Sequence, residues 1–62
     1  MGKPSRKWAI RTDGGDMVPV PSEREAYERC GEIGNLGKAV CTIIWVDNGQ
    51  GLGWELYERI DH

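Results

Sequence analysis

The chain has 62 residues, a mass of 7.0 kDa and a net charge of −2, with 39% apolar and 29% charged residues. That length makes one small domain and excludes a multidomain enzyme, while the slight acidity excludes a polybasic nucleic-acid tail and no apolar run approaches the ~18 residues of a membrane span. A chain of this size buries only ~60% of its extended surface, and small scaffolds commonly lean on disulfides, a metal or a partner subunit.

Residues 1–6 are polar and contain Pro4, which reads as a basic N-terminal arm carrying Lys3 and Arg6, with Lys7 at its end. Residues 7–62 then form the domain. Lys7-Trp8-Ala9-Ile10-Arg11-Thr12 is rich in strand formers. Alternation sends Trp8 and Ile10 to one face and Lys7 and Arg11 to the other. Asp13-Gly14-Gly15-Asp16 is a turn. Met17-Val18-Pro19-Val20 is the returning strand, with Val18 and Val20 inward. Pro19 cannot donate to a ladder, so this strand belongs at a sheet edge.

Pro21-Ser22-Glu23-Arg24-Glu25 signals a helix start. Ser22 is the N-cap, Glu25 completes a capping box, and two glutamates in the first turn suit the positive end of the helix dipole. The helix is predicted from about Glu23 to Ile33, with Ala26, Cys30 and Ile33 as a narrow apolar stripe and Tyr27 beside it. Gly34, Asn35 and Gly37 are stop signals.

Lys38 to Val46 is the most strand-like segment. Ala39, Cys41, Ile43 and Trp45 share one face; Val40, Thr42, Ile44 and Val46 share the other. Thr42 is the one polar residue of the second set, so that set is read as outward. Apolar residues on both faces place the strand centrally. Asp47 to Gly53 is a hairpin connection with Asn48-Gly49 as its turn signal. Trp54 to Ile60 is the last strand, with Trp54, Leu56 and Ile60 inward and Glu55, Tyr57 and Arg59 outward. The expected fold is α+β, in the order β-β-α-β-β: a four-stranded antiparallel sheet, order 2-1-3-4, with one helix on one face. Trp8, Trp45 and Trp54 are expected to supply much of the core.

The chemistry-bearing residues do not assemble into a catalytic pattern. Cys30 and Cys41 allow at most one bridge, and secreted mini-domains are usually denser in cysteine. With no apolar signal segment at the N-terminus, both thiols are read as reduced and buried, and the setting as cytoplasmic. Two cysteines and the single His62 fall short of a zinc site. Asp13 to Asp16 lacks the ligand series of a calcium loop. Gly49-x-Gly51-x-Gly53 is followed by a strand, where a phosphate loop needs a helix. Glu55 and Glu58 fall on opposite strand faces, and Glu28 and Glu32 lie on a solvated helix turn beside Arg29. The reading is a non-catalytic protein with no cofactor and no metal.

Binding fits the residues better. Val40, Ile44, Val46 and Tyr57 are expected to form an apolar patch on the sheet face that the helix leaves open, and such patches mark interfaces. The expected occupant is another protein or a second copy of the chain, as in a homodimer. The alternative is weak nucleic-acid binding through Lys3, Arg6, Lys7, Arg11 and Arg59, with Tyr57 stacking on a base; salt dependence separates the two. The closing run Trp54-Glu55-Leu56-Tyr57-Glu58-Arg59-Ile60, in a short chain rich in glycine and tryptophan, resembles small proteins of bacteria and their phages. The resemblance carries no functional motif and implies only an accessory or host-interacting role.

Overall fold

A computed structural model describes residues 6–62. The basic arm, Lys3 included, lies outside the described residues except for Arg6, which is exposed next to the first strand. The elements run β1 (Lys7–Thr12), β2 (Val18–Val20), α1 (Glu23–Asn35), β3 (Cys41–Asp47) and β4 (Glu55–Asp61). All pairings are antiparallel, and the sheet order is β2-β1-β3-β4. The α+β architecture expected from the sequence is the one observed, with Pro19 in an edge strand. No helix among the described residues is long and apolar enough to cross a membrane.

Local chemistry sets the helix ends. Ser22 has extended backbone and its Oγ accepts from Glu25 N at 3.2 Å, satisfying one of the amides left free at a helix start. At the other end Gly37 adopts φ +66°. Lys38 N then donates to Ile33 O and Gly37 N to Gly34 O, both at 3.1 Å. This pair of bonds is a Schellman closure, and glycine is the residue that enters it without a Cβ penalty. Between β3 and β4, Asp47 Oδ1 accepts from Gly49 N at 2.8 Å, and Gly49, Gly51 and Gly53 all have positive φ. The glycine run is therefore hairpin geometry, as its flanking strands implied.

The core lies between α1 and one face of the sheet. Trp8, Ile10, Ala26, Cys30, Ile44 and Val46 form it, with Val20, Ile33 and Ile60 packed at its margin. Trp8 pairs with Val46, Ile10 with Ile44 and Thr12 with Thr42, so Thr42, Ile44 and Val46 face the helix. The expected parity of β3 is thus inverted. Ile44 is 0% and Val46 6% exposed, whereas Cys41, Ile43 and Trp45 take the opposite side. Two physical reasons account for this. Thr42 is fully buried but satisfied, sharing a 2.6 Å hydrogen bond with His62 Nε2, so its polarity does not drive it outward. And β3 runs one residue further than expected, to Asp47, whose charged side chain belongs to the Cys41–Ile43–Trp45 set.

β4 departs from expectation as well. Ile44 pairs with Glu58 and Trp45 with Leu56, leaving Tyr57 as the extra residue of a register shift. Tyr57 lies on the helix side, edge-on to Trp8 with ring centroids 4.9 Å apart. Leu56 takes the other side and is 61% exposed, and Trp54 precedes the strand as an exposed residue. Of the three tryptophans only Trp8 is a core residue. Cys30 and Cys41 are buried and unbridged, as expected, although Cys41 belongs to the side away from the helix.

Candidate functional site

Two regions of the molecule bring reactive or recognition groups together. The first is the sheet face away from α1. Residues in register share a face, so the pairings place Ala9, Trp45 and Leu56 in one cross-strand row and Arg11, Ile43 and Arg59 in the next. Lys7 and Asp47 stand opposite each other beyond the first row. Cys41 and Asp61 do so beyond the second. The centre of the face is therefore Ile43, Trp45 and Leu56, with basic groups on both flanks. α1 packs on the opposite side of the sheet and is the one helix among the described residues.

The charges on this face are not equivalent. Arg59 Nε bonds Asp61 Oδ1 at 3.2 Å. The Arg11 guanidinium instead lies over the Trp45 ring, its Cζ 5.5 Å from the ring centroid, a cation–π contact. No carboxylate among the described residues pairs with it. Trp45 Nε1 is shielded from solvent and has no hydrogen-bond partner. A buried indole N–H normally finds an acceptor, so Trp45 carries an unmet donor in the middle of an open face.

Of the residues expected to form the apolar interface, Val40, just before β3, and Tyr57, on the helix side, are exposed, at 70% and 42%. Ile44 and Val46 are core residues. Tyr57 is tied to the helix, its hydroxyl donating to Glu23 Oε1 at 3.0 Å. These four do not form a patch. Lys7, Arg11 and Arg59 do share the open face, as expected for them, and Trp45 takes the place of Tyr57 as its aromatic group. The signal for the correct set was Asp47: counted as part of β3, it marks Ile43 and Trp45 as the outward neighbours.

The second region is an open groove of about 410 Å³ between the end of α1 and the end of β4, lined by Tyr27, Cys30, Gly31, Gly34, Ile60 and His62 among others. The bare helix surface at Gly34 lets the His62 ring approach, since a Cβ there would collide with it. Behind the groove stand Cys30, Thr42 and His62, drawn from α1, β3 and the residue after β4. Burial pushes the Cys30 thiol up, and a hydrogen bond from Thr42 only partly opposes this. This direction disfavours the thiolate form on which cysteine reactivity depends. At the groove rim the Tyr27 hydroxyl donates to Glu58 Oε1 at 2.7 Å, and this carboxylate contact pushes its pKa up to about 12. The polar groups here close the fold on one another. Among the described residues no three His, Cys, Asp or Glu side chains converge.

Compared with protein-family models, curated proteins and solved structures, the chain matches none.

Proposed function

We propose that the protein is a small non-catalytic binding module whose sheet face, centred on Ile43, Trp45 and Leu56 with Arg11 at its edge, docks another protein. One observation carries the reading: a tryptophan with an arginine guanidinium over its ring occupies the middle of a face that no helix or strand among the described residues covers. Tryptophan and arginine are the residues enriched at the energetic centres of protein interfaces, and exposed apolar patches rimmed by polar groups mark such sites. Asp47, Asp61, Lys7 and Arg59 supply that rim.

A second reading has one observation in its favour. Lys7, Arg11 and Arg59 flank Trp45, an arrangement on which a single-stranded nucleic acid could stack. Asp47 and Asp61 on the same face and the net charge of −2 oppose a phosphate backbone.

The test is site-specific photo-crosslinking in the native host, with the photoreactive residue at Leu56 on the open face or at Glu32 on the exposed side of α1. Protein adducts at Leu56 and none at Glu32 are the expected result. Adducts at both positions alike, or at neither, refute the reading. An adduct of twice the chain mass, together with a dimer in sedimentation, identifies the partner as a second copy.

A further inference from the structure

We propose that the open sheet face recognises an acidic, apolar segment of its partner, one that sets a carboxylate on Arg11 beside an aliphatic or aromatic side chain on Trp45. This rests on the reading that the face is the protein-binding surface, and adds the chemistry of what binds there.

The inference comes from what the face lacks. Arg24 is matched by Glu28 and Arg59 by Asp61, each with an Nε–O distance of 3.2 Å. Arg11 has no carboxylate partner among the described residues, and its guanidinium lies over the Trp45 ring. A guanidinium offers several N–H donors in a planar fork, and a cation–π contact with a ring uses none of them as a hydrogen bond to a carboxylate. Those donors are what a carboxylate engages, in bidentate fashion. Next to it, Trp45 Nε1 is a donor with no acceptor. The side chains of this face without a hydrogen-bond partner among the described residues, Arg11, Lys7 and the Trp45 indole, are all donors, so the face is complementary to an anionic or carbonyl oxygen.

The apolar half of the ligand follows from the same rows. Ile43 stands between Arg11 and Arg59, and Trp45 between Ala9 and Leu56. Neighbouring strands are ~4.8 Å apart, so a carboxylate over Arg11 and an apolar side chain over Trp45 come from adjacent or near-adjacent residues of one extended segment. A polyphosphate fits less well. Asp61 already answers Arg59, and Asp47 stands opposite Lys7, so a strand carrying one charge per nucleotide would run across these carboxylates. A segment with isolated carboxylates among apolar residues avoids them.

The test is selection of a random dodecapeptide display library on the immobilised full chain, with clones that also bind Leu56→Ser removed. Leu56 is exposed, so that variant keeps its fold, which circular dichroism verifies. Clones rich in Asp or Glu beside Leu, Ile, Val, Phe or Trp are expected. The synthetic peptide of such a clone is expected to bind Arg11→Gln about tenfold more weakly, the scale of one interface arginine, and to move the Trp45 indole N–H resonance of the wild-type protein. Leu56-dependent clones that are neutral or basic, or that bind Arg11→Gln equally well, overturn the acidic ligand and leave the surface standing. If no selected clone depends on Leu56, the surface reading itself falls. Displacement of the peptide by oligo(dT), with steep loss of oligo(dT) binding as salt rises, overturns the proposal in favour of nucleic acid.

Discussion

The two faces of the sheet are made by alternate residues of the same strands, and they have opposite characters. Under α1 the side chains are of moderate size and close-packed: Ile10, Ile44, Val46 and a single indole, Trp8, meet the small helix stripe of Ala26 and Cys30. Small residues on the helix bring its axis near the sheet and leave no space for a second indole. On the other face Trp45, Ile43 and Leu56 are of similar hydrophobicity, but their cross-strand neighbours are Ala9, Arg11 and Arg59, and no helix among the described residues lies above them. Hydrophobicity therefore does not decide which face is closed. Helix placement and the single charged residue at the end of β3 do. The closed face carries the stability of the fold, and the open face is free to serve binding.

The sharpest way to break this comparison uses adjacent residues. Ile44 is 0% exposed at the centre of the core, and an unpaired carboxylate there costs several kcal/mol. A domain this small has roughly 5 kcal/mol to lose, so Ile44→Asp is expected to abolish cooperative thermal unfolding. Ile43→Asp places the same charge on the open face, between Arg11 and Arg59, and is expected to cost about 1 kcal/mol, the span of strand propensity, while leaving cooperative unfolding intact. Circular dichroism melts of the two variants check this. If both unfold, or neither does, the division between faces is wrong.

A second variant probes the polar residue that sits among the core side chains. His62→Ala removes the stronger partner of the fully buried Thr42 hydroxyl and leaves it the weak Cys30 sulfur, which is expected to cost about 1 kcal/mol in urea unfolding. Thr42→Val in the His62→Ala background removes the stranded hydroxyl while keeping its shape, and is expected to recover most of that loss. If it recovers nothing, His62 acts by packing on Gly34 and not by satisfying Thr42.

The fold was largely legible because its signals are local. The Ser22 cap, the Gly37 stop, the Pro19 edge and the Asn48-Gly49 turn each fix a boundary through a few neighbouring residues, and together they imply the order of the strands. The open face was not legible to the same degree, because strand parity is a two-fold choice decided by a few residues. Thr42 was counted as an outward signal, yet its hydroxyl is satisfied by a residue twenty positions away in sequence, a contact with no local signature. The register shift at Tyr57 then reverses the side on which that residue lies. Lys7, Arg11 and Arg59 were placed on the open face correctly because β1 has an unambiguous alternation and Arg59 lies beyond the shift.

The helix that closes the inner face has its own measurable anchor. Ser22→Ala removes the acceptor of the Glu25 amide and is expected to cost about 1 kcal/mol, the usual worth of an N-cap. The open-face resonances of Ile43 and Trp45 should stay unchanged while the melting temperature falls. A change confined to the open face would show that α1 and that face are coupled.

The smallest effect concerns β4, the strand that α1 does not cover directly. Two crossed tyrosine–carboxylate bonds tie it to the helix: Tyr27 to Glu58 and Tyr57 to Glu23. Each hydroxyl donates to a carboxylate, so ionising the phenol removes the donor and sets two negative charges together. The Tyr27 pKa is accordingly pushed from 10.0 up to about 12, and that of Tyr57 is raised by its bond to Glu23. The folded protein therefore holds these protons over a range in which the unfolded chain has released them, and stability falls with pH wherever the folded state binds more protons. The contribution is complete below pH 10, declines between pH 10 and about 12, and is gone above that. Both side chains are partly exposed, so solvent screening keeps the effect modest. Tyr27→Phe is expected to lower stability at pH 7 by a small amount, equal to the part of the alkaline decline that it removes, and Tyr57→Phe added to it should lower the pH 7 value and flatten the decline further. Urea midpoints measured from pH 8 to pH 12 on the wild type and the two variants check the sign. A decline of the same steepness in all three would mean that β4 is held by its ladder with β3 alone, and that the helix stabilises only the strands it covers.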